Sequence, residues 1–594
     1  MRIHLKIFFL FFIFNNLGKV YSQSIDSVQT NKMYKEILFD DQFLDIVFYK
    51  HFNNVLLNNL GPFGSNYYFS TVYLKDNQSS IFAPVDLKNK LLNLTGFRPF
   101  TNLTWINAGR REQILSINHI QKFGKLADFQ LLYKRIGSPG DYINQEINDN
   151  NLKAEFNFHT PQDEYSANLI FGYYTIKNQE NGGVKSISDF LKDSIERREL
   201  YEVNLKKSYY ESRTISFGIN QKVVLFSNQV DSNRHESFYL KLNSNTSTFR
   251  KEYFDNDSRS SVFDTIYFDS TGGLWKDSTH INSFVNQFSF GYTFNNFSIE
   301  PYYLTENYKY FQFMGADTLF NSNYLGSKVF YINSKFKSFI DFNYGVQGYN
   351  RNDINFSGDF DFSFSDNLSL ITRVSHQINE PEYAIKSFAS NHFKWANYNF
   401  EKQQISFINS ELIIRNIGFI LTINAKLTNN YIYFDTLALP TQNKKQETIS
   451  SFMIEKGYRL KNVHFKSAVI YQMTSDRYIF PLPEFIGRQI VYYENKIFKK
   501  SLKFRFGVNV SYSGKYYAYA FMPGISKYYT QNKVKLGDYP FIDVFLSTHL
   551  KRALIFVKWE HVNSGLMGFD YFSTPNTPFL DRSFKFGVSW NMFD

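Results

Sequence analysis

The chain has 594 residues, a formal charge of +11, no cysteine, and aromatic side chains at 19% of positions, with 66 Phe and 43 Tyr. Without cysteine there are no disulfides, thiolate metal sites, iron–sulfur clusters or cysteine nucleophiles, and without a run of five or more like charges there is no nucleic-acid-binding arm. Past residue 22 no stretch approaches the ~18 consecutive apolar residues of a spanning helix, whereas an aromatic-rich composition suits a membrane β-barrel with aromatic girdles.

The N-terminus carries Arg2 and Lys6, then the apolar run Ile7–Phe14, then Val20-Tyr21-Ser22 ahead of Gln23. A basic start, a short greasy core and small residues at a cleavage site predict a secretory signal peptide over 1–22. Its removal takes away three bases (Arg2, Lys6, Lys19) and no acid, and lowers the formal charge from +11 to +8. Residues 23–100 are poorly periodic, with "DDQFLDIVFYK" at 40–50 and a Gly-Pro turn at 61–62. They read as an N-terminal periplasmic or lumen-associated segment, either a plug or a partly ordered leader.

From residue 101 the pattern changes to strict alternation, which sends successive side chains to opposite faces of a strand. Leu152, Ala154, Phe156 and Phe158 oppose Lys153, Glu155 and Asn157. The stretch 185–207 breaks the pattern. Ser186 or Ser188 can cap a short helix with Phe190, Leu191 and Ile195 on one face, and its charges belong to an outer loop or narrow a pore. Alternation resumes at Phe284–Phe294 and, after Asn295-Asn296, at Phe297–Tyr303. Ile354–Phe364 and Leu368–Ser375 read as a hairpin around 365–367, with Asp359 and Asp361 facing the side of Arg373. In 501–512 Leu502, Phe504, Phe506, Val508 and Val510 oppose Lys503, Arg505 and Asn509. A strand is also expected at 515–523, and the chain closes on "RSFKFGVSWNMFD", 582–594.

These segments predict an all-β fold: one transmembrane antiparallel β-barrel over 101–594, with an even strand number of about 18, within 16–22, and both ends on the periplasmic side. Short connections alternate with long ones such as 251–282, 378–402, 474–487, 524–539 and 564–581, as turns and outer loops do in such barrels. A large exported β-sandwich or solenoid also alternates, but would not be expected to turn so much Phe and Tyr outward. A Lys or Arg turned to lipid near mid-bilayer costs about 2–4 kcal/mol, so the greasy parity faces lipid. The polar parity then supplies the lumen-facing candidates Lys153, Glu155, Glu300, Asp359, Asp361, Arg373, Lys426, Lys466, Lys503, Arg505, Lys558, Glu560 and Lys585, with a modest excess of bases. The last strand, with Phe586, Val588, Trp590, Met592 and the penultimate Phe593, looks like the aromatic signal read by the outer-membrane barrel-assembly machinery.

Several stretches together carry a more definite likeness. "YYAYAFMPGISKYYTQ" (516–531), "GDYPFIDVFLSTHLKRALIFVKWEHVN" (537–563) and "FKFGVSWNMFD" (584–594) resemble the end of the putative porin family of Gram-negative outer membranes. "NNLGPFGSNYYF" (58–69), "NAGRREQILSINHIQKFG" (107–124), "NGGV" (181–184) and "SNHFKWANYNF" (390–400) resemble it too. The resemblance implies an outer-membrane barrel with a pore function and brings no catalytic residue.

No H-E-x-x-H, G-x-S-x-G or phosphate-loop motif is present, so no enzyme, cofactor or metal is expected. The function expected first is a passive diffusion pore for small hydrophilic solutes, weakly anion-preferring, with outer-membrane lipid and the assembly machinery as partners and no nucleic acid. The alternatives are a plugged, energy-coupled receptor, and a structural or adhesion barrel that displays long loops.

Overall fold

In the computed structural model the described residues are 99–594, apart from 196, 232–233, 258–261, 264, 268–274, 313–316, 499–501 and 594. Ahead of them only residue 47 and the antiparallel pair Asn54–Leu56 and Gly64–Asn66 are described, so the signal peptide and most of 23–100 lie outside the described residues.

Twenty-two strands close into one antiparallel barrel. The first eleven are β1 (Phe100–Ala108), β2 (Gln113–Phe123), β3 (Ala127–Ser138), β4 (Ile147–His159), β5 (Tyr165–Gln179), β6 (Tyr209–Asp231), β7 (Arg234–Asp255), β8 (Trp275–Phe294), β9 (Phe297–Gln312), β10 (Thr318–Ile332) and β11 (Phe336–Gly348). The others are β12 (Ile354–Ser363), β13 (Leu368–Asn379), β14 (Gln403–Ile414), β15 (Phe419–Asn429), β16 (Glu447–Leu460), β17 (Val463–Thr474), β18 (Phe485–Ile497), β19 (Leu502–Ser513), β20 (Phe541–Leu550), β21 (Ala553–Glu560) and β22 (Ser583–Phe593). Each strand pairs with its sequence neighbours, and β22 closes the ring on β1 from Phe100↔Phe593 to Ala108↔Lys585.

The strand number corrects the expected 18 to the upper limit of its range. The segments on either side of very short turns, such as 295–296, 461–462 and 551–552, are separate strands, and Asn295, Lys461 and Lys551 take positive φ in those turns. The segment 326–349 is two strands, β10 and β11. The strand expected at 515–523 is absent from the wall: Ala520–Met522 pairs with Lys527–Tyr529 inside a long connection. Strand β8 begins at Trp275, well before the alternating stretch Phe284–Phe294 that announced it. The outer face of this extension is polar, with Lys276, Ser278, His280 and Asn282, so the greasy–polar contrast disappears although the ladder continues.

One end of the barrel carries the tight turns, and both β1 and β22 have their free ends there. The other end carries the long connections 180–208, 256–274, 380–402, 430–446, 514–540 and 561–582. The outward parity is apolar, with Phe217, Phe288, Phe290, Phe506, Phe584 and Trp590 all exposed. In water such a surface would be unstable, and the closed ladder satisfies the backbone groups that hydrocarbon cannot.

Candidate functional site

The inner wall carries charged side chains that are almost fully buried. Lys585 is 0% exposed, Lys558 2% and Arg505 2%, which does not fit a wide, water-filled lumen. Register fixes their direction. Trp590 and Phe586 stand outward on β22, so Lys585, Gly587, Ser589 and Asn591 point inward, together with their partners Ala108, Ile106, Thr104 and Asn102 on β1.

One part of this inner wall is apolar. Ile106 on β1, Ile114 on β2, Ile136 on β3, Ile490 and Tyr492 on β18, Phe545 on β20, and Leu554 and Phe556 on β21 form a single buried cluster. Its ninth member is Val47, from the N-terminal segment, itself 0% exposed. Because the eight wall residues face inward, Val47 sits inside the barrel.

The long connections fold over the end away from the tight turns. Segments 380–402, 430–446 and 514–540 share a buried cluster built on Ile385, Phe388, Trp395, Ile432, Phe434 and Ile525, which reaches the wall at Tyr310. Segments 180–208, 514–540 and 561–582 share another, with Val184, Phe190, Tyr201, Ala518, Leu536 and Phe572. Segment 514–540 therefore bridges both. Backbone bonds tie the segments together: Thr530 N donates to Phe434 O at 2.9 Å, and Val184 N to Asn576 O at 2.8 Å. Lys251, on the inner face of β7, donates its Nζ to Ile525 O at 2.9 Å.

A short helix forms where the sequence predicts one, but it ends before Ile195 and buries only Phe190 of the expected apolar face. It spans Ile187–Leu191, with Ser186 Oγ accepting from Asp189 N. Phe190 is buried, Leu191 is exposed, and Arg198 lies 4.0 Å from the Phe190 ring and pairs with Asp193 at 2.8 Å and Asp581 at 3.2 Å. These charges knit one loop to another.

All thirteen candidates taken from the polar parity sit on the inward face, and the structure supplies their partners. Lys153 meets Glu155 at 2.8 Å. Arg373 lies between Asp359 at 3.8 Å and Glu411 at 3.6 Å, and Asp361 stands two residues along β12 from Asp359. Lys503 and Arg505 share Glu494, at 3.2 and 2.7 Å. Lys558 meets Glu560 at 2.6 Å, and Lys585 meets Glu560 at 3.0 Å and Glu112 at 2.5 Å. Lys426 lies over the Tyr431 and Phe480 rings. Lys466 pairs in register with Ile490. Glu300 is held by Lys241 and by the Tyr239 hydroxyl at 3.1 Å, with Lys222 3.6 Å over the Tyr239 ring.

Sequence reasoning missed Glu112, Glu411, Glu494, Lys222 and Lys241. Glu112 lies in a turn. The other four share the inward parity of their strands, so alternation, the signal that gave the thirteen candidates, could have found them, whereas which charges they pair with needs cross-strand register. Among the described residues, no group of three or more His, Asp or Glu side chains is arranged to hold a metal ion.

In the outer connections, burial pushes the Glu180 carboxyl up to about 8, and its Oε1 accepts from Asn178 Nδ2 at 2.6 Å. Burial also lowers His561, whose ring bonds Leu580 O at 2.7 Å and the Tyr539 hydroxyl at 2.9 Å.

Comparison with known proteins gives a family and a fold. The family described as putative porin matches residues 22–594. No curated protein sequence matches. Among solved structures, the FrpB iron transporter from Neisseria meningitidis is similar with a TM-score of 0.56 at 10% identity, over 84% of this chain and 82% of that one. The copper transporter OprC gives 0.58 at 8% identity, over 83% and 80%. The siderophore receptor PirA from Acinetobacter baumannii gives 0.55 at 8% identity, over 83% and 80%. At such identities the likeness is one of fold.

Proposed function

The chain belongs to the putative porin family, and on that premise we propose that it is a plugged outer-membrane transporter for small solutes, closed at rest, in place of the open diffusion pore expected first. The observation that carries this reading is Val47, seated inside the barrel on an apolar patch of the wall. An open aqueous pore has no use for eight inward apolar residues on neighbouring strands, whereas a plug needs a dry surface to rest on. The folded-over loops and the likeness to solved transporters and receptors support the same reading. The solutes of those proteins are not carried over.

In this reading residues 1–22 export the chain, both barrel ends lie in the periplasm, and the long connections face outside. The plug blocks the lumen until an energy source or a bound solute displaces it. Residues 24–95 are the segment to remove. Liposomes holding the shortened protein should swell in small sugars, while those holding the full chain should stay tight. Equal swelling by both proteins would return the reading to an open pore.

A passive, weakly anion-preferring pore is the second reading, favoured by the family description. Its selectivity rested on an excess of inner-wall bases. Lys503, Arg505, Lys558 and Lys585 each lie against a carboxylate, which argues for little selectivity, and a reversal potential near zero under a salt gradient is expected.

A further inference from the structure

The outward face of β4–β8 carries a feature that the transport reading does not use. Just beyond the apolar band, Asn148, Asn150, Lys177, Arg213, Arg250 and Glu252 line a cavity of about 380 Å³ on the outside of the barrel. Register shows that this face is the lipid-side one. Arg213 pairs across the ladder with Thr175 and Arg250, and Arg250 with His280, while the next outward row along these strands runs Tyr173, Ile215, Thr248 and Asn282. Ile215 and Phe217, directly below Arg213 on β6, are exposed.

Depth places the charges at a membrane surface. A strand crosses the hydrocarbon in ~9–11 residues. Arg250 stands sixteen residues into β7 from Arg234, and Arg213 eighteen residues from Asp231 at the tight-turn end of β6. Both lie on the side of the long connections.

The local charge is positive and only partly answered. Lys177 meets Glu211 at 2.8 Å, and Lys276 meets Glu252 at 2.7 Å, where Arg250 also pairs. Arg213 is exposed, and among the described residues no carboxylate is paired with it. Arg250 Nε and His280 Nε2 are buried without a hydrogen-bond partner among the described residues. Four bases against two acids, with an idle guanidinium N–H beside a cavity and Ile215 and Phe217 directly below Arg213, describe a receptor for an amphiphile with an anionic head. Guanidinium forks favour phosphate, which they bind with two parallel bonds.

We propose that this cavity binds a phosphate group of an outer-leaflet glycolipid, with the acyl chains lying along Ile215 and Phe217. The site rests on the outer-membrane placement given above, but not on the plug. Leakiness tests and lipid-binding tests can therefore fail separately.

The test uses the full chain purified in detergent, with diphosphorylated glucosamine-based lipid as probe and the same lipid stripped of phosphate as control, read by native mass spectrometry. The R213Q/R250Q variant is compared with K335Q/K551Q, which removes the same charge from exposed turns at the opposite end. Heat-modifiable gel migration verifies that each variant is folded. The parent and K335Q/K551Q should retain the phosphorylated lipid. R213Q/R250Q should hold it about tenfold more weakly or worse, as expected when charge-assisted hydrogen bonds are lost. The stripped lipid should bind all three weakly and alike. Equal retention by R213Q/R250Q, or equal binding of the stripped lipid by the parent, would overturn the proposal. So would displacement of the lipid by inorganic phosphate at matching concentration, which would make the site one for the free ion. If R213Q/R250Q misfolds, R213K/R250K replaces it: loss of the planar forks with charge kept should still weaken retention, and unchanged retention counts against the site.

Discussion

The ring of Tyr239 lies flat over Gly291, its register partner on the adjacent strand, so closely that a Cβ at 291 would fall 1.9 Å from the ring's Cζ. The same relation recurs around the inner wall. Tyr302 covers Gly326, and Phe556 covers Gly587. In each case the missing side chain makes room for a ring from the neighbouring strand, and one register alone brings ring and glycine together. These pairs pin the ladder where alternation would tolerate a two-residue slip.

Gly291→Ala should therefore displace Tyr239 and loosen its bond to Glu300. Overpacking of this kind costs about 1–3 kcal/mol, and the temperature of heat modification on gels should fall. Adding Tyr239→Ala to the same chain should recover part of the loss, because the clash is then gone. A single variant as stable as the parent would show that the ring has somewhere else to go.

Val47→Asp would place an unpaired carboxylate on the dry patch formed with Phe556 and Phe545. Burying a charge without a partner is far costlier than losing the ~1.5–3 kcal/mol of an apolar contact, so the segment should leave its seat. Planar-bilayer recordings should show openings that the parent lacks. Val47→Ile, which keeps the patch dry, should remain silent. Silence from the Asp variant as well would mean that Val47 does not hold the segment in place.

Lys585 is enclosed by Glu112 and Glu560, contributed by the turn before β2 and by the end of β21. Removing the cation alone, in Lys585→Met, leaves two carboxylates buried together and should cost about 3–5 kcal/mol. The double change K585M/E112Q removes one of the two carboxylates and leaves the other, Glu560, to Lys558, and should be much milder. Chemical denaturation of the detergent-solubilised barrel can rank the two. Equal losses would show that the cluster is wet in solution.

Glu180 offers a pH test in the outer connections. Burial holds its carboxyl up to about 8, against an ordinary 4.5. Between these values the folded loop keeps a proton that the unfolded loop releases, so its stability falls as pH rises through that interval and levels off above it. Hydrogen exchange of amides 180–208, corrected for intrinsic rates, should show protection declining from pH 5 to pH 8. Glu180→Gln should flatten the profile and raise protection at pH 8. A parent profile without slope would place this carboxyl in solvent.

The amino-acid sequence by itself determined the strands, their two faces and the class of fold. A period of two is a local property, written into neighbours such as Phe504, Arg505 and Phe506, and it survives whatever the rest of the chain does. It also determined the direction of the charges, since a basic side chain in hydrocarbon is too costly to keep. The short helix at Ile187–Leu191 was legible for the same reason, since its cap and Phe190 lie within a few residues of one another, but of the expected apolar face Leu191 is exposed and Ile195 lies past the helix end.

Tertiary structure decided the rest. Closure at 22 strands depends on how many ladders the chain can join, a sum over pairings that no single segment contains. The start of β8 could not be read because polar side chains on the outer face, Lys276 to Asn282, remove the contrast that marks a strand, while the backbone ladder needs no contrast to persist. Lys585 and Glu112 are 473 positions apart and meet because β22 closes on β1. The seat of Val47 could not be read from alternation. An inward polar face looks the same in sequence whether water or protein lies against it, and only the position of Val47 among Ile106, Phe545 and Phe556 distinguishes the two.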